Sequence, residues 1–297
     1  MSKIGWENPA PTDGPSLDQL KEQLKVTRYD VAGTGVATVW LHRPDRRNSW
    51  TARMNFEYRA VMRALDADPA VRVVVVTGSG GTFSVGADSR ALTGYVGAES
   101  YDPGLPQDAA LPGHGVRDEF DADLVWQYGL RVPVIAAVNG ACAGVALALA
   151  AFCDLRFAVS GAKVTVASPR LGLPSEYGLS WILPRLIGVT HAADLLLSGR
   201  VADSDSLARM GFFNAVYPEE EFQEAVYRYA GQLAAASPLA VTTAKRQLYT
   251  DLLHHDPAGS VRQSKTLTGR LMKAPDYKEG VAALVEKRTP RFGPWEG

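Results

Sequence analysis

The chain has 297 residues, of which 46% are hydrophobic and 21% charged, so it can bury a substantial core. Its formal net charge of −1 gives it no general attraction to nucleic acid or to an anionic membrane. Two cysteines cannot form a disulfide framework, and we find neither a secretory signal nor an apolar run of membrane-spanning length. These features predict a cytoplasmic globular protein without a nucleic-acid or membrane partner.

Residues 1–26 are predicted to form a polar, loosely structured arm with one helical turn around 16–24. Beyond the arm, β-branched runs alternate with stretches whose apolar residues recur at helical spacing, which predicts repeated strand-and-helix units. The predicted strands are 36–41, 71–76, 133–138, 154–159 and 163–166, and the predicted helices are 51–65 and 144–152. The stretch 93–115 has no periodicity, so we predict a long mobile loop of the kind that often forms enzyme lids.

The last third of the sequence is predicted to be mainly helical. Its amphipathic stretches lie at 191–198, 203–210, 219–236, 238–254 and 275–287. The predicted organisation is therefore the arm, an α/β core over 27–200 and a helical region over 201–297.

Three motifs closely resemble the crotonase (enoyl-CoA hydratase/isomerase) superfamily. The first is Pro133-Val-Ile-Ala-Ala-Val-Asn-Gly, followed by Cys153-Asp154. The others are Phe83-Ser84-Val85-Gly86-Ala87-Asp88 and Leu183-Pro184-Arg185-Leu186-Ile187-Gly188. Later landmarks follow in the family's order, so the resemblance covers about residues 30–293.

The resemblance implies an α/β fold of the crotonase/ClpP-like type, a spiral of ββα units with a C-terminal helical trimerisation region. It also implies a homotrimer or a dimer of trimers. The substrate would be an acyl-CoA thioester, so coenzyme A would enter as part of the substrate, with no permanently bound cofactor. No metal site is predicted, because the histidines lack metal-ligand spacing.

Other enzyme classes lack support in the sequence. A dinucleotide site after Gly78 would need glycine where Phe83 stands, and no GxSxG nucleophile elbow surrounds any serine. These observations set aside a Rossmann site and triad hydrolysis.

By position in the family motifs, the backbone amides of Ala87 and Val145 would form an oxyanion hole for the thioester carbonyl. Two preorganised N–H donors stabilise the negative charge that grows on such an oxygen. Gly86 and Gly144 would permit close approach, and Val145 stands where many relatives have glycine. The alternative is that both glycines belong to ordinary tight turns.

Local cations are needed for the phosphates of coenzyme A. The resemblance places Arg46 and Arg47 there, with help from Arg43, and adds Ala87 and Asp88 from the first loop. Lys287 and Arg288 match basic positions that approach the nucleotide end in relatives, in some from a neighbouring subunit. The alternative for each arginine is a solvated surface charge.

Hydratases of the family hold a water molecule with two glutamates, and neither is present here. Their positions fall at Ala148 and at or beside Ser168. The predicted base is instead Glu176, near the place where isomerases of the family carry an acid, and its alternative role is to stabilise a helix N-terminus. Tyr177 and Trp181 are predicted to line the acyl pocket with Ala148 and Ser168.

The sequence thus predicts an enoyl-CoA hydratase/isomerase family enzyme that stabilises a thioester enolate, most simply for double-bond isomerisation. Asp88, Asp121 and Asp123 are weaker candidates for the acid. Two other functions stay open. One is hydrolysis of a bulkier acyl-CoA, which small side chains such as Ala146 would accommodate, and the other is a non-catalytic CoA-thioester-binding subunit.

Overall fold

The computed structural model describes residues 16–88 and 116–295, and the predicted loop 93–115 lies outside them. The strands are β1 (Thr27–Val31), β2 (Val36–Leu41), β3 (Val73–Gly78), β4 (Thr82–Ser84), β5 (Val134–Val138), β6 (Ala141–Ala143), β7 (Leu155–Val159), β8 (Lys163–Thr165), β9 (Ala202–Asp203) and β10 (Ala215–Tyr217). The helices are α1 (Leu17–Lys21), α2 (Ala52–Ala67), α3 (Val145–Ala151), α4 (Leu179–Ser198), α5 (Ser204–Arg209), α6 (Glu219–Ala234), α7 (Pro238–Asp251), α8 (Pro257–Leu271) and α9 (Pro275–Glu286).

The strands form two sheets. The larger sheet has six strands in the order β1-β2-β3-β5-β7-β10, with β1 antiparallel at one edge and the other neighbours parallel. Its central strands are buried on both faces, since Val74 and Val76 of β3 pack into one apolar cluster and Val73 and Val75 into another. Burial on both faces explains why these strands read as continuous β-branched runs.

The smaller sheet has the order β4-β6-β8-β9, and its first three strands are parallel. Each of these three directly follows a strand of the larger sheet along the chain, and α3 and α4 come after β6 and β8. The repeated order of large-sheet strand, small-sheet strand and helix confirms the predicted spiral of ββα units.

Asn139 and Gly140 connect two of these units. The Asn139 amide donates to the carbonyls of Gly78 and Gly80 and accepts from the Gly78 N–H. A Cβ on Gly140 would lie 2.3 Å from the carbonyl oxygen of Gly81, so only glycine fits there. The Asn-Gly pair therefore fixes the turn after β3 against the turn after β5.

Several boundaries differ from the prediction. Helix α8 was missed because only Leu267 of its side chains is buried, which leaves no apolar period to detect. Helix α4 joins the helix expected just after Glu176 to the predicted stretch 191–198, and it contains Pro184 and a non-helical Gly188 (φ 73°, ψ 159°) that interrupt its pattern. No described helix has the length and apolarity that crossing a membrane requires.

The described part of the N-terminal arm is packed on the core rather than loosely structured. Leu20 of α1 is buried, and the buried Glu57 carboxylate accepts hydrogen bonds from the amides of Lys25, Val26 and Thr27. Glu57 lies on α2, so this carboxylate attaches the arm to the first long helix. The boundaries of the arm, the core and the helical region stay predictions.

A buried ion pair joins the C-terminal helices to the larger sheet. Lys245 of α7 donates to the Asp154 carboxylate (2.8 Å) and to the Val132 carbonyl (2.9 Å). The same Asp154 oxygen accepts from the Val134 amide at the start of β5. Asp154 is thus a structural residue that holds α7, β5 and the turn before β7 together.

Replacing Lys245 by Met should lower the free energy of unfolding by about 3 kcal/mol, because it leaves the buried Asp154 carboxylate without its cation. Urea denaturation of wild type and variant measures this loss. The control is Arg228→Ala, which removes an exposed pair with Glu224 and should change stability by less than about 0.5 kcal/mol. Equal stability of the Lys245→Met variant and wild type would show that the pair is not required.

Candidate active site

Three parallel strands of the smaller sheet end at the same edge. Ser84 of β4 pairs with Cys142 of β6, and Ala143 of β6 pairs with Thr165 of β8. Because the strands are parallel, the segments that follow them lie side by side. We call this edge, formed by residues 86–87, 144–145 and 167–168, the three-turn edge.

Two glycines allow the first two segments of this edge to touch. A Cβ on Gly86 would lie 2.7 Å from the carbonyl oxygen of Ala143 and 3.7 Å from the Cα of Gly144. Gly86 (φ 84°) and Gly144 (φ 55°) also have positive φ angles that other residues rarely adopt. Their contact brings together the two backbone segments that carry Ala87 and Val145.

Neither amide is used by regular secondary structure. Trp50 forms a parallel bridge with Ala87, in which the Trp50 amide donates to the Gly86 carbonyl and the Trp50 carbonyl accepts from the Asp88 amide. The amide of Ala87 lies between these bonds and points to the other side of the segment. Val145 is the first residue of α3, so its amide has no acceptor within the helix.

The third segment of the edge supplies a carboxylate. The Ser168 hydroxyl donates to the Oε2 atom of Glu176 at 2.9 Å. Ser168 is buried, whereas Glu176 is half-buried. The structure therefore joins Ser168, at or beside which the resemblance places the second hydratase glutamate, to the predicted base.

Positive φ angles occur on both sides of this pair. Ala167 (φ 67°) immediately precedes Ser168, and Tyr177 (φ 50°) immediately follows Glu176. Residues other than glycine have a steric penalty at positive φ, which the surrounding fold must offset. The two residues with positive φ thus directly flank the Ser168–Glu176 hydrogen bond.

The remaining predicted pocket residues lie in or against the main core. Ala148 is fully buried in α3, and its amide donates to the carbonyl of Gly144. Tyr177 and Trp181 are partly buried and pack against the main core. The Arg185 guanidinium lies 3.9 Å from the centre of the Trp181 ring.

Asp88 makes an internal ion pair. Its carboxylate accepts from Arg43 (2.9 Å) and from the Ser49 hydroxyl (2.9 Å), and all three groups lie beside Trp50 and Ala87. These contacts hold the loop before α2 against the segment that carries the Ala87 amide. Asp88 and Arg43 thus support the edge from within the protein.

Arg46 and Arg47 are exposed in the turn before Asn48. Sequence analysis missed the importance of Asn48, which is buried with a positive φ angle of 54°. Its side-chain amide donates to the carbonyls of Ser79 and Thr82, so it attaches this turn to the start of β4. A polar residue directly after two exposed arginines gave no signal of burial.

The structure does not bring Lys287 and Arg288 to the other site residues within one chain. Described hydrogen bonds from the Arg288 side chain go to Glu279, Glu286 and Thr289, all on the C-terminal segment. The hydrogen bond from Arg288 lowers the pKa of Glu279 to about 2.

The described residues offer neither a reactive thiol nor a metal-binding cluster. Burial raises the pKa of the Cys142 and Cys153 thiols well above the usual range, so neither is a thiolate at neutral pH. Residues 16–88 and 116–295 contain no cluster of three His, Cys, Asp or Glu side chains that could hold a metal ion.

Comparison with known proteins identifies the family. The family model for enoyl-CoA hydratase/isomerase matches residues 32–294. A probable enoyl-CoA hydratase of Rhodobacter capsulatus is 32% identical, with 89% of this chain and 96% of the relative covered. The 1,2-epoxyphenylacetyl-CoA isomerase of Escherichia coli is 30% identical, covering 87% and 95%.

A crystal structure of a probable enoyl-CoA hydratase/isomerase from Mycobacterium abscessus superimposes with a TM-score of 0.78 at 29% identity, covering 91% of this chain and 99% of that one. The chain belongs to the enoyl-CoA hydratase/isomerase family, and the crotonase fold and enzyme class predicted from its motifs are confirmed. It is an acyl-CoA enzyme of that family.

Replacing Gly86 by Ala should lower the free energy of unfolding by about 3 kcal/mol, because the new methyl group meets the Ala143 carbonyl and the backbone stays at positive φ. Urea denaturation measures the change. The matched control is Gly81→Ala, where a Cβ has no neighbour within 4 Å and the expected change is below about 0.5 kcal/mol. A Gly86→Ala variant as stable as the control would contradict the close approach of the two segments.

Proposed function

We propose that the protein is a double-bond isomerase of acyl-CoA thioesters, in which the Ala87 and Val145 amides hold the enolate oxygen and Glu176 moves the proton. The observation that carries this proposal is the 2.9 Å contact between Ser168 and Glu176. It holds one carboxylate beside the three-turn edge, where the family's hydratases would have a pair.

The amides of Ala87 and Val145 would act on the thioester carbonyl. Removing a proton from the α-carbon leaves an electron pair that delocalises onto the carbonyl oxygen. Two fixed N–H donors that face this oxygen lower the barrier by several kcal/mol, since they need no reorganisation as the charge grows.

Isomerisation needs one proton-transfer group, whereas hydration needs a positioned water molecule and two proton-transfer groups. Glu176 would take the α-proton of a β,γ-enoyl thioester to give a dienolate. The same carboxyl group would then return a proton to the γ-carbon, and the double bond would end between the α- and β-carbons. The methyl group of Ala148 cannot hold or transfer a proton, which favours isomerisation over hydration.

The nucleotide end of coenzyme A would meet exposed cations. Arg46 and Arg47 lie on the turn that Asn48 fixes against β4, and β4 leads directly to Gly86. Lys287 and Arg288 would contribute from a neighbouring subunit, since their own chain does not place them at the edge.

Assembly as a homotrimer or a dimer of trimers is supported by apolar side chains that the C-terminal helices leave exposed. These are Val261, Met272, Tyr277, Val281, Leu284 and Val285. Burying such a surface between copies of the chain would remove it from water. A cytoplasmic location stays a prediction from composition.

Isomerisation can be tested with a panel of short, medium and cyclic β,γ-enoyl-CoA thioesters in deuterated water, with the products followed by mass spectrometry. Wild type should move the double bond and incorporate deuterium, and Glu176→Gln should lower this rate at least about 100-fold because the amide cannot accept the proton. Glu224→Gln, which changes an exposed carboxylate on α6, should keep the wild-type rate.

The outcomes separate the open functions. A gain of water in the product would identify hydration, and free coenzyme A would identify hydrolysis. Binding of every thioester without exchange at any carbon would contradict isomerisation and favour a non-catalytic binding subunit.

The roles of Arg46 and Arg47 can be tested by comparing two versions of one substrate. The Arg46→Ala/Arg47→Ala double variant should raise KM for the CoA thioester about 3- to 10-fold, the loss expected for exposed cation-phosphate contacts. The N-acetylcysteamine thioester has no nucleotide, so its KM should not change. An equal rise for both thioesters would show that the arginines act on the protein rather than on the nucleotide.

A further inference from the structure

We infer that Ser168 is a positioning residue, which fixes the Glu176 carboxylate so that one chosen oxygen faces the substrate. This inference rests on the proposed role of Glu176 as the base. Ser168 donates to Oε2, and no hydrogen bond from another described residue reaches Oε1, so this oxygen can take the proton. A serine hydroxyl has one proton to donate, so this bond occupies its whole donor capacity.

The Ser168 hydroxyl belongs to a rigid part of the fold. The residue is only 2% exposed, and its carbonyl accepts from the amide of Leu173. The preceding turn is held by Thr165, whose hydroxyl accepts from the Ala167 amide and donates to the Gly199 carbonyl. The position of the Ser168 hydroxyl is therefore set by the surrounding fold and does not depend on Glu176.

Glu176 lies on a less constrained stretch. Residues 171–174 before it are exposed, and Ser168 is the one described residue that hydrogen-bonds its carboxylate. A glutamate side chain loses several rotatable torsions when it is held in one conformation. A single donor therefore decides where the carboxylate oxygens lie.

The turns on either side support the same assignment. Ala167 and Tyr177 both have positive φ angles without being glycine, and they flank the donor and the acceptor. Such conformations persist only where neighbouring structure requires them, and they cluster at functional sites. Here, each turn directs one partner of the Ser168–Glu176 bond toward the other.

The test is a double-mutant cycle of wild type, Ser168→Ala, Glu176→Gln and the double variant, with one thioester that wild type isomerises. Ser168→Ala should lower kcat about 10- to 100-fold, the effect of losing a hydrogen bond to a charged group, while KM changes less than about 3-fold. In the Glu176→Gln background, the same Ser168→Ala change should have no further effect on the residual rate, because Ser168 acts through Glu176.

Two further variants separate the hydroxyl from the shape of the side chain. Threonine and valine have nearly the same shape, so Ser168→Thr should retain about 10-fold more kcat than Ser168→Val. Thermal unfolding of each variant checks the fold. Any variant that does not fold is replaced by Ser168→Cys, which is nearly isosteric with the serine but is a weak donor. This variant should also lose at least about 10-fold in kcat.

The outcomes distinguish this inference from the proposed function. If Glu176→Gln is inactive and Ser168→Ala has wild-type kcat, the positioning role is overturned and the base assignment stands. An equal loss from Ser168→Ala in both backgrounds would reveal a purely structural role. Wild-type activity of Glu176→Gln would overturn the base and the positioning role together.

Discussion

The contact between the backbones of Gly86 and Gly144 is the constraint on which the site depends. It exists because β4, β6 and β8 are parallel and end at one edge, and because Gly86 carries no side chain that would meet the Ala143 carbonyl. The buried supports around it serve the same geometry. Asn48 and Asn139 fix the turns that lead into β4 and β6, and the Arg43–Asp88 pair holds the loop beyond Ala87.

The three-turn edge presents main-chain groups in two of its segments and side chains in the third. Its first two segments present amides, which every residue except proline carries. Its third segment presents Ser168 and, eight residues later, Glu176. In the proposed mechanism, changes in the third segment would therefore alter the proton chemistry and leave the place for the thioester oxygen unchanged. The absence of glutamate at Ala148 and Ser168 is compatible with an intact amide pair for this reason.

Much of the fold could be predicted from the sequence. The strands of the larger sheet are buried on both faces, so their β-branched runs were easy to recognise, and 36–41 was located without error. Strands such as β4, β6 and β9 have two or three residues, which is too short for any periodicity. Helix α8 buries almost none of its side chains, so its sequence lacks the amphipathic pattern.

The candidate site was predictable in part. The order of the motifs placed Ala87, Val145 and Glu176 in the sequence, whereas the Ser168–Glu176 bond depends on left-handed turns at Ala167 and Tyr177, which no residue preference indicates. The Arg43–Asp88 pair joins residues far apart in sequence, and their charges alone did not separate a phosphate contact from an internal ion pair.

In the proposed mechanism, the use of main-chain donors would hide this site from side-chain scanning. Position 87 is already alanine, and Val145→Ala would leave the amide in place, so truncation of either side chain removes no donor. The positions most sensitive to change are Gly86 and Gly144, which would contribute no atom to the oxygen they help to hold. A survey that ranks residues by the loss of their side chains would thus pass over the amides that hold the enolate in the proposed mechanism, and it would reveal them only through their glycine neighbours.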